Sequence, residues 1–275
     1  MKKIAVLITC FNRCRITLSC LDSLAKVDIP SGFSLDVFLV DDASPDNTAK
    51  EVIGKYPRVN VIKGNGDLYW NRGMYTAWNE AYKTFDYDFY LWLNDDTLLH
   101  ENALENLLET SKKVELNSII VGTICSMNDL ESITYGGRNR NGIIIPNGIS
   151  KICDNFNGNC VLIPKIVFKT IGNLDYYFKH SFGDFEYGLR SRIKGFNSYV
   201  TPSPIGKCDR NQWPPNYLKS EITLFKRFKF LYSPLGFNPI ESFYFNFKYK
   251  SPFYTIIVFL KLHLNVLFPI IVLKK

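Results

Sequence analysis

The sequence lacks paired cysteines, internal repeats and low-complexity tracts. Its seven cysteines are odd in number, and no two of them stand in CxxC spacing. A chain of 275 residues needs no disulfide framework, so the cysteines are interpreted as reduced thiols of a cytosolic protein. A secretory signal is also missing, because the first apolar run, IAVLIT (4–9), gives way to Asn12 and Arg13 after a few residues. That run is predicted to be a strand.

The sequence also has no large excess of positive or negative charge. The formal net charge is +7 in 275 residues, which is too small to indicate a dedicated nucleic-acid binder. It is compatible with an anionic membrane surface or with a phosphate-bearing substrate. The 46% share of hydrophobic residues supports a sizeable core, either in one α/β domain or in one domain with an appendage.

The first half does contain a regular alternation of apolar strands and amphipathic helices. The predicted strands are 4–9, 35–40, 59–63 and 88–94, and the helices that follow them are 16–27, 48–56, 74–83 and 102–114. Four such alternations predict a doubly wound, Rossmann-like, mainly parallel sheet flanked by helices. Ligands bind such sheets at the carboxyl ends of the strands. Thr9, Asp42, the 64–73 loop and the pair Asp95–Asp96 all fall at those ends.

The second half is less regular, and its composition changes after about Trp213. The expected elements are a strand at 118–126, a hairpin or loop at 134–150, a strand and helix within 159–172 and a helix at 182–196. Basic and aromatic residues then dominate. We therefore expect a catalytic domain of residues 1–212 and a helical, membrane-associating extension of residues 213–275.

The final segment, residues 252–275, is apolar over about the length that spans a bilayer, roughly 20 residues. Lys261, His263 and Asn265 in its middle, and Pro269 further on, make a spanning helix unfavourable. A helix lying in the membrane interface is favoured, because the basic-aromatic runs FKRFKF and FYFNFKYK precede it. The alternatives are a true span, or a helix that packs on the catalytic domain or on a second copy.

Asp95 and Asp96 end the predicted strand YLWLN. Two adjacent carboxylates repel one another, and their desolvation is costly without a positive partner. Carboxylates at the ligand edge of a sheet suit Mg²⁺ or Mn²⁺, which takes one or two of them together with phosphate oxygens and water. The alternative role for the pair is to cap the helix that follows.

Two further motifs fall at the same edge of the sheet. Asp41 and Asp42 end the second strand, where a carboxylate either accepts a hydrogen bond from a uracil or thymine N–H or shapes the DDASPDNT turn. The loop GNGDLYWNRG (64–73) combines glycines, which let backbone approach a ligand, with Arg72 for a phosphate and Trp70 for a sugar or base. It is neither a Walker loop nor a GxGxxG motif, so alone it is weak evidence.

Taken in order, six motifs resemble glycosyltransferase family 2 over residues 3 to about 210. They are TCFNR (9–13), VDDASPDNT (40–48), GNGDLYWNRGMYTAWNEA (64–81), LWLNDDTLL (91–99), NCVLIPKIVF (159–168) and GDFEYGLRSRIKGF (183–196). The W-x-x-G-M loop and the N-D-D motif are similar to those of bacterial rhamnosyltransferase-like members. The resemblance implies the GT-A fold, a nucleotide-diphosphate sugar donor and a divalent cation. It makes residues 1–115 the nucleotide-sugar half and residues 116–212 the acceptor half.

The resemblance also implies roles for single residues. NDD stands where the family has its DxD motif, which makes Asp96 the metal ligand and places Asp95 close to the donor. Asp184 stands where the family has its catalytic base, with Gly183 in place of the preceding Glu; its alternative role is a helix N-cap. Such a base takes the proton from the acceptor hydroxyl on the face opposite the leaving diphosphate. The expected residues that bind the nucleotide sugar are Thr9, Phe11, Arg13, Asp42, Asp67, Trp70, Arg72 and Asp95.

The sequence departs from the family at one further position. A His often follows the base helix in family members, and here Cys208 occupies that place. A thiol is a poor ligand for Mg²⁺, so either the metal has fewer protein ligands or Asp209, Arg210 or Asn211 takes over. None of the three histidines is an obvious metal ligand, and His180 is interpreted as a surface or hinge residue.

These features predict a metal-dependent, inverting glycosyltransferase that moves a sugar from a dTDP- or UDP-sugar to a glycan hydroxyl. A lipid-linked glycan is the expected acceptor, in bacterial surface polysaccharide synthesis. The protein is expected to be cytoplasmic and peripheral on the inner face of the cell membrane, with no nucleic acid as a partner. One alternative is a nucleotidyltransferase. Such an enzyme needs a G-x-G-T-R-type loop near the N-terminus, and the segment TCFNRCR here lacks the glycines of that loop. The other alternative is a non-catalytic protein that binds nucleotide sugars.

Overall fold

A computed structural model describes residues 1–114, 117–210 and 213–269. The strands are β1 (Lys2–Cys10), β2 (Phe33–Asp41), β3 (Asn60–Lys63), β4 (Phe89–Leu93), β5 (Leu98–Leu99), β6 (Ile119–Cys125), β7 (Ile133–Tyr135), β8 (Gly137–Asn139), β9 (Gly142–Ile143), β10 (Lys151–Ile152), β11 (Asn155–Phe156), β12 (Cys160–Pro164) and β13 (Ser198–Lys207). The helices are α1 (Cys14–Leu24), α2 (Thr48–Lys55), α3 (Tyr69–Thr84), α4 (Ala103–Lys113), α5 (Lys165–Ile171), α6 (Gly183–Ile193), α7 (Leu224–Tyr232), α8 (Pro239–Tyr249) and α9 (Pro252–Leu267).

The main sheet confirms the predicted α/β architecture. Its strand order is β10-β13-β6-β12-β4-β1-β2-β3, with β5 paired to β13 and β7 paired to β6. Strands β3, β2, β1 and β4 are parallel neighbours, and β12 lies antiparallel between β4 and β6. Strand β13 is again parallel to β6. The carboxyl ends of β1, β2 and β4 therefore share one edge, while β8, β9 and β11 form a separate small sheet.

Helices cover both faces of this sheet. Ile4, Val6 and Ile8 of β1 belong to the hydrophobic cluster that includes α1 and α4, whereas Ala5 and Leu7 belong to the cluster that includes α3. Successive strand residues point to opposite faces, so a strand that is covered on both sides needs a continuous apolar run. This is why IAVLIT is apolar at every position but its last.

Helix α3 begins five residues before the predicted start at Met74. Asp42 accepts the backbone N–H groups of Leu68 at 2.9 Å and Tyr69 at 3.1 Å. These groups have no partner inside the helix, so a carboxylate from another strand can satisfy them and extend the helix. Trp70 and Arg72 consequently lie in the first turn of α3 rather than in a loop.

Strand β13 is not predicted from the sequence. It contains Pro202 and Pro204, which supply no N–H to a strand ladder and normally argue against an internal strand. The pairing of β13 with β6 shifts register around Pro204, and this irregularity accommodates the prolines.

Helices α7, α8 and α9 form the predicted basic-aromatic extension. The ring of Tyr244 in α8 stacks on Tyr177 with centroids 3.9 Å apart, and Glu241 accepts the backbone N–H of Lys179 at 2.9 Å. Contacts therefore cross the predicted boundary at residue 212, and the division into two domains stays a prediction. Over residues 1–114, 117–210 and 213–269, no helix combines the length and hydropathy needed to cross a bilayer. Residues 270–275 of the predicted apolar segment lie outside the described residues.

Candidate active site

The end of β4 brings the acid pair against Arg13. Arg13 Nε donates to Asp95 Oδ2 at 3.0 Å, Nη2 donates to Asp95 Oδ1, and Nη1 donates to Asp96 Oδ2 at 3.2 Å. Thr17 Oγ1 also donates to Asp95 Oδ2 at 3.1 Å. Strands β1 and β4 are parallel neighbours, so the residues after each of them meet at one edge. Arg13 is thus a positive partner of the acid pair. From the sequence, the expected positive partner was a metal ion.

The two carboxylates of the pair differ in environment. Asp95 is 1% exposed, and burial raises its pKa to about 6 although Arg13 opposes the shift. The side chain of Asp96 is 30% exposed. Its Oδ1 is buried and accepts no hydrogen bond from any residue that the structure describes. Asp95 is therefore held by Arg13 and Thr17, whereas Asp96 is partly exposed, is paired with Arg13 and lies beside the Cys208 thiol.

A buried carboxylate oxygen without a partner suits a hard divalent cation. Within the described residues there is no group of three or more His, Cys, Asp or Glu side chains that could hold a metal. The Asp96 carboxylate is the predicted ligand at this edge, and its binding of a metal stays a prediction. Mg²⁺ is commonly bound by one or two carboxylates together with substrate phosphates and water, so the residue present fits such an ion.

Cys208, at the place of the family's histidine, is a buried neutral thiol beside Asp96. Burial, reinforced by the Asp96 charge, raises the pKa of Cys208 to about 12. A thiol suits Mg²⁺ poorly as a ligand, so Cys208 is a weak candidate for the histidine's role. All seven cysteines lie in described parts of the chain, and all are free thiols.

Two of the other candidates for the histidine's role, Asp209 and Arg210, are engaged elsewhere. Asp209 Oδ1 accepts a hydrogen bond from a hydroxyl at 2.8 Å and one from a backbone N–H at 2.9 Å, both in segment 126–127. Arg210 Nη2 donates to the Ile133 carbonyl at 2.7 Å. Asn211 lies outside the described residues.

Asp42 and Thr9 lie beneath the loop 64–73. Besides the two N–H groups at the start of α3, the buried Asp42 carboxylate accepts the N–H of Gly66 at 2.7 Å. A Cβ on Gly73 would lie 2.1 Å from Thr9 Oγ1, so only glycine lets α3 close on the end of β1. Asp42 and Thr9 therefore shape the loop, and their recognition of a base stays a prediction.

Three consecutive residues of α3 connect it with the end of β4 and with segment 175–178. Trp70 Nε1 donates to Asn94 Oδ1 at 2.7 Å, directly before the acid pair. Asn71 is fully buried, and its Nδ2 donates two hydrogen bonds of 2.8 Å to backbone carbonyls of segment 175–178. Arg72 donates to two further carbonyls of that segment at 3.0 and 3.3 Å. Arg72 thus supports backbone in this structure, and its contact with a phosphate stays a prediction.

Asp67 and Phe11 are exposed members of the predicted donor set. Lys179 Nζ lies 2.8 and 2.7 Å from the two carboxylate oxygens of Asp67. Phe11 follows β1 and is 50% exposed. Lys179 is a cation at the donor loop that the sequence does not point to, because it stands 112 residues away from Asp67.

His180 lies closer to the donor side than the sequence suggests. Its ring packs edge-on against Tyr69 with centroids 6.4 Å apart. Burial, helped by the charge of Arg13, lowers the pKa of His180 to about 4, so the ring is neutral at pH 7. Its Nδ1 is buried and has no hydrogen-bond partner among the described residues. His180 is therefore half-buried beside Tyr69, and its interpretation as a surface or hinge residue stays a prediction.

Asp184 lies half-buried in the first turn of α6. The backbone N–H of Gly158 donates to Asp184 Oδ2 at 3.0 Å, and that of Phe185 donates to Oδ1 at 2.9 Å. Burial raises the pKa of Asp184 to about 6, although these N–H groups oppose the shift. A carboxylate with this pKa is ionised at neutral pH and still accepts a proton readily, as a general base requires.

Gly158 connects Asp184 with the donor side. A Cβ at this position would lie 2.5 Å from Trp70 Cζ2 and 3.5 Å from Asp184 Cβ, so the two side chains flank the glycine. The carbonyl of the next residue, Asn159, accepts the N–H of Asn94 at 2.9 Å. Asp184 and the acid pair are therefore linked through neighbouring residues where β4 ends and β12 begins.

Gly183, which replaces the family's glutamate, is required by its neighbour Asn71. A Cβ on Gly183 would lie 1.8 Å from Asn71 Oδ1. The preceding Phe182 has a φ of 70°, in the left-handed region that non-glycine residues rarely adopt. A larger residue at 183 would displace Asn71, and with it the segment that leads to Asp184.

This fold is that of the GT-A glycosyltransferases. A model of the family described as glycosyl transferase family 2 matches residues 5–185, which is more than half of the chain. The chain belongs to this family and is a glycosyltransferase, which sets the nucleotidyltransferase alternative aside.

Similar proteins have a range of described activities. The chain is 30% identical over 110 residues to a poly-beta-1,6-N-acetyl-D-glucosamine synthase of Staphylococcus epidermidis, a match that covers 40% of this chain and only 26% of that protein. S. aureus TarS 1–349 in complex with UDP-GlcNAc has a TM-score of 0.56 at 15% identity, covering 77% of this chain and 59% of TarS 1–349. The mannosyltransferase PcManGT of Pyrobaculum calidifontis, in complex with GDP-Man and Mn2+, has a TM-score of 0.54 at 16% identity, covering 78% and 58%. At these identities the solved structures establish the fold alone.

Proposed function

We propose that this glycosyltransferase moves a sugar from a UDP- or dTDP-sugar to a hydroxyl group of a glycan, with inversion at the anomeric carbon. The observation that carries the proposal is the placement of Asp184 across Gly158 and Trp70 from the acid pair. The UDP-GlcNAc complex of TarS and the likeness to a polysaccharide synthase support a UDP-sugar donor and a glycan acceptor.

In this reaction Asp184 takes the proton of the acceptor hydroxyl. The hydroxyl oxygen then bonds to the anomeric carbon while the bond from that carbon to the nucleotide diphosphate breaks, and this single displacement inverts the centre. The N–H of Gly158 holds the Asp184 carboxylate, and Trp70 lies where it forms a wall for the sugar. Asp184 must be ionised to take this proton, and with a pKa of about 6 its carboxylate is ionised at neutral pH.

Asp96 would hold a divalent cation, Mg²⁺ or Mn²⁺, through its Oδ1. Such an ion, when bound, neutralises the charge that develops on the departing diphosphate. Arg13 contributes fixed positive charge at the same place and keeps the buried Asp95 paired. The Mn2+ complex of PcManGT supports an ion of this type.

The extension supports a lipid-linked acceptor at an anionic membrane surface. Residues 213–269 contain only two acidic residues, Glu221 and Glu241, against seven basic ones: Lys219, Lys226, Arg227, Lys229, Lys248, Lys250 and Lys261. Ile256, Leu260 and Leu264 follow one stripe of α9, and each is more than half exposed. Exposed apolar stripes beside positive charge are typical of helices that lie in a membrane interface. We therefore propose a peripheral protein on the cytoplasmic face of the membrane, acting in surface polysaccharide synthesis.

The transfer reaction can be tested by nucleotide release. The purified chain would be incubated with Mn²⁺, a polyprenyl-diphosphate-linked sugar and, in turn, UDP-, dTDP- and GDP-sugars. We expect release of nucleotide from a UDP- or dTDP-sugar, and none from the Asp184→Asn variant. A folded wild-type protein that binds one of these donors but consumes none would support the non-catalytic alternative instead.

The membrane surface can be tested by co-flotation with vesicles. We expect the chain to float with phosphatidylglycerol vesicles more than with phosphatidylcholine vesicles. A triple Ile256→Ser, Leu260→Ser, Leu264→Ser variant should lose this binding, whereas Ile53→Ser, which changes an exposed apolar residue on α2, should keep it. Equal flotation of the triple variant and wild type would contradict the membrane proposal.

A further inference from the structure

A buried charged cluster joins α8 of the extension to the helix that carries Asp184. Glu186 is fully buried, and its carboxylate accepts hydrogen bonds from Arg190 Nε at 3.0 Å, from Lys248 Nζ at 3.0 Å and from the Tyr249 hydroxyl. Lys248 Nζ also lies 2.9 Å from Asp175 Oδ2. We call Asp175, Glu186, Arg190, Lys248 and Tyr249 the Glu186 cluster.

The Glu186 cluster is balanced in charge but costly to form by itself. It contains two carboxylates and two cations, with the Tyr249 hydroxyl as a further donor. A buried ion pair adds little net stability over apolar residues of the same size, because desolvation offsets the attraction. What such a cluster does provide is a single relative orientation of the elements that contribute to it, since any other arrangement leaves a buried charge unpaired.

The elements that the cluster orients lead directly to Asp184. Glu186 stands two residues after Asp184 in the same helical turn. At the other end of the segment, the Asp175 carbonyl accepts a hydrogen bond of 2.8 Å from Asn71. Arg190 Nη2 also donates to the Asn173 carbonyl at 2.8 Å. Segment 173–186 is therefore held at both ends, by α3 on the donor side and by α8 on the side of the extension.

We propose that Lys248 and Tyr249 are positioning residues for Asp184, which they act on through Glu186 and Asp175. On this proposal α8 helps to position the catalytic base, in addition to any role of the extension in membrane binding. The inference rests on the proposed function, in which Asp184 is the base. Neither Lys248 nor Tyr249 contacts the donor side directly through the hydrogen bonds and ion pairs of the described residues. Their loss should therefore lower turnover more than it weakens nucleotide binding, which the segment reaches through Lys179 and Asp67.

The test compares four variants of the full chain. Lys248→Met removes the charge but keeps the length of the side chain, Lys248→Arg restores the charge, and Tyr249→Phe removes the hydroxyl. Lys112→Met is the matched control, because it deletes a lysine whose 2.9 Å ion pair with Glu109 lies exposed on α4. Each variant is measured for amide hydrogen exchange of peptides within 173–186, for kcat and donor KM, and for stabilisation by UDP with Mn²⁺.

In Lys248→Met we expect amide exchange within 173–186 to become about tenfold faster, because the segment opens locally more often. We expect kcat to fall about tenfold with donor KM changed by less than about twofold, since a small misplacement of a catalytic group acts on turnover. Lys248→Arg should recover most of the activity, and Tyr249→Phe, a milder change that keeps the fold, should lower kcat about threefold. The control should match wild type, and the nucleotide-dependent stabilisation should change much less than kcat does.

Unchanged exchange within 173–186 in Lys248→Met and Tyr249→Phe would overturn the inference, and so would faster exchange with wild-type kcat. Failure of the proposed function has a different signature. In that case the wild-type chain itself consumes no sugar nucleotide, and the role of Lys248 falls together with the role of Asp184.

Discussion

Arg13 reaches Asp95 and Asp96 from the end of a neighbouring parallel strand, whereas Asp184 is held by Gly158 and, through its own segment, by α3 and α8. The acid pair thus depends on the ends of two adjacent strands and on its ion pairs with one arginine. The acceptor side depends on contacts from three separate parts of the chain. Changes on the donor side should therefore affect nucleotide binding and stability, and changes on the acceptor side should affect turnover while nucleotide binding survives.

The sharpest contrast should come from Asp184→Asn. The amide keeps the size of the side chain but cannot take a proton at neutral pH, so we expect kcat to fall about 10³-fold. Stabilisation by UDP with Mn²⁺ should stay at the wild-type level. The matched control is Asp154→Asn, at an exposed carboxylate paired with Arg192. If Asp184→Asn kept its activity, another group would have to be the base.

The pH dependence of kcat/KM should follow the same carboxylate. The pKa of Asp184 is raised to about 6, and the protonated form cannot act as a base, so kcat/KM should fall about tenfold per pH unit below pH 6 and level off above it. Stability should respond in the opposite sense. The folded pKa lies above the ordinary 3.8, so this group's contribution to the free energy of unfolding decreases as pH rises from about 4 to about 6. A flat profile of kcat/KM between about pH 5 and 8 would contradict the assignment.

On the donor side, Arg13→Met should lower stability. It leaves the buried Asp95 with Thr17 as its remaining side-chain partner among the described residues. We expect a loss of about 2 kcal/mol in the free energy of unfolding, less than for a fully buried pair because Arg13 is partly exposed. Arg192→Met, which breaks an exposed pair with Asp154, should cost under about 1 kcal/mol. Urea denaturation measures both, and equal losses would show that Arg13 has no special role.

The smallest change in stability is expected from a substitution at Gly158, which lies between Trp70 and Asp184. In Gly158→Ala the new Cβ would lie 2.5 Å from Trp70 Cζ2, so we expect a loss of about 1 kcal/mol from overpacking. The control is Gly54→Ala in α2, where a Cβ meets nothing within 4 Å and should be neutral or slightly stabilising. Thermal unfolding of the two variants gives the comparison. A Gly158→Ala protein as stable as Gly54→Ala would mean that Trp70 and Asp184 are not packed against this glycine.

Much of the donor side could be predicted from the sequence, because its signals are local. Apolar runs that end in Thr9, Asp42 and Asp95–Asp96 mark strand ends, and the parallel order of those strands brings their ends together. The start of α3 could not be predicted from local sequence, because the carboxylate that accepts its first backbone N–H groups belongs to Asp42, 26 residues before Leu68.

The acceptor side could be predicted only through family resemblance. That resemblance locates Asp184, but the residues that hold it are scattered: Asn71 stands 104 residues from Asp175, and Glu186 stands 62 residues from Lys248. No periodicity connects such positions. Gly183 is an example. The Asn71 side chain occupies the space that a side chain at position 183 would need, which explains why glycine replaces the family's glutamate, and this contact cannot be inferred from the sequence.

The most direct test of the account is the thermal stability of the wild-type chain and of Asp96→Ala with UDP, dTDP, GDP and CDP, each with and without Mn²⁺. A ligand that binds only the folded state raises the melting temperature. We predict that UDP or dTDP raises it only when Mn²⁺ is present, and that Asp96→Ala abolishes the shift. An equal shift in Asp96→Ala, or no shift with any nucleotide in the folded wild-type protein, would contradict a metal-bound diphosphate at the end of β4.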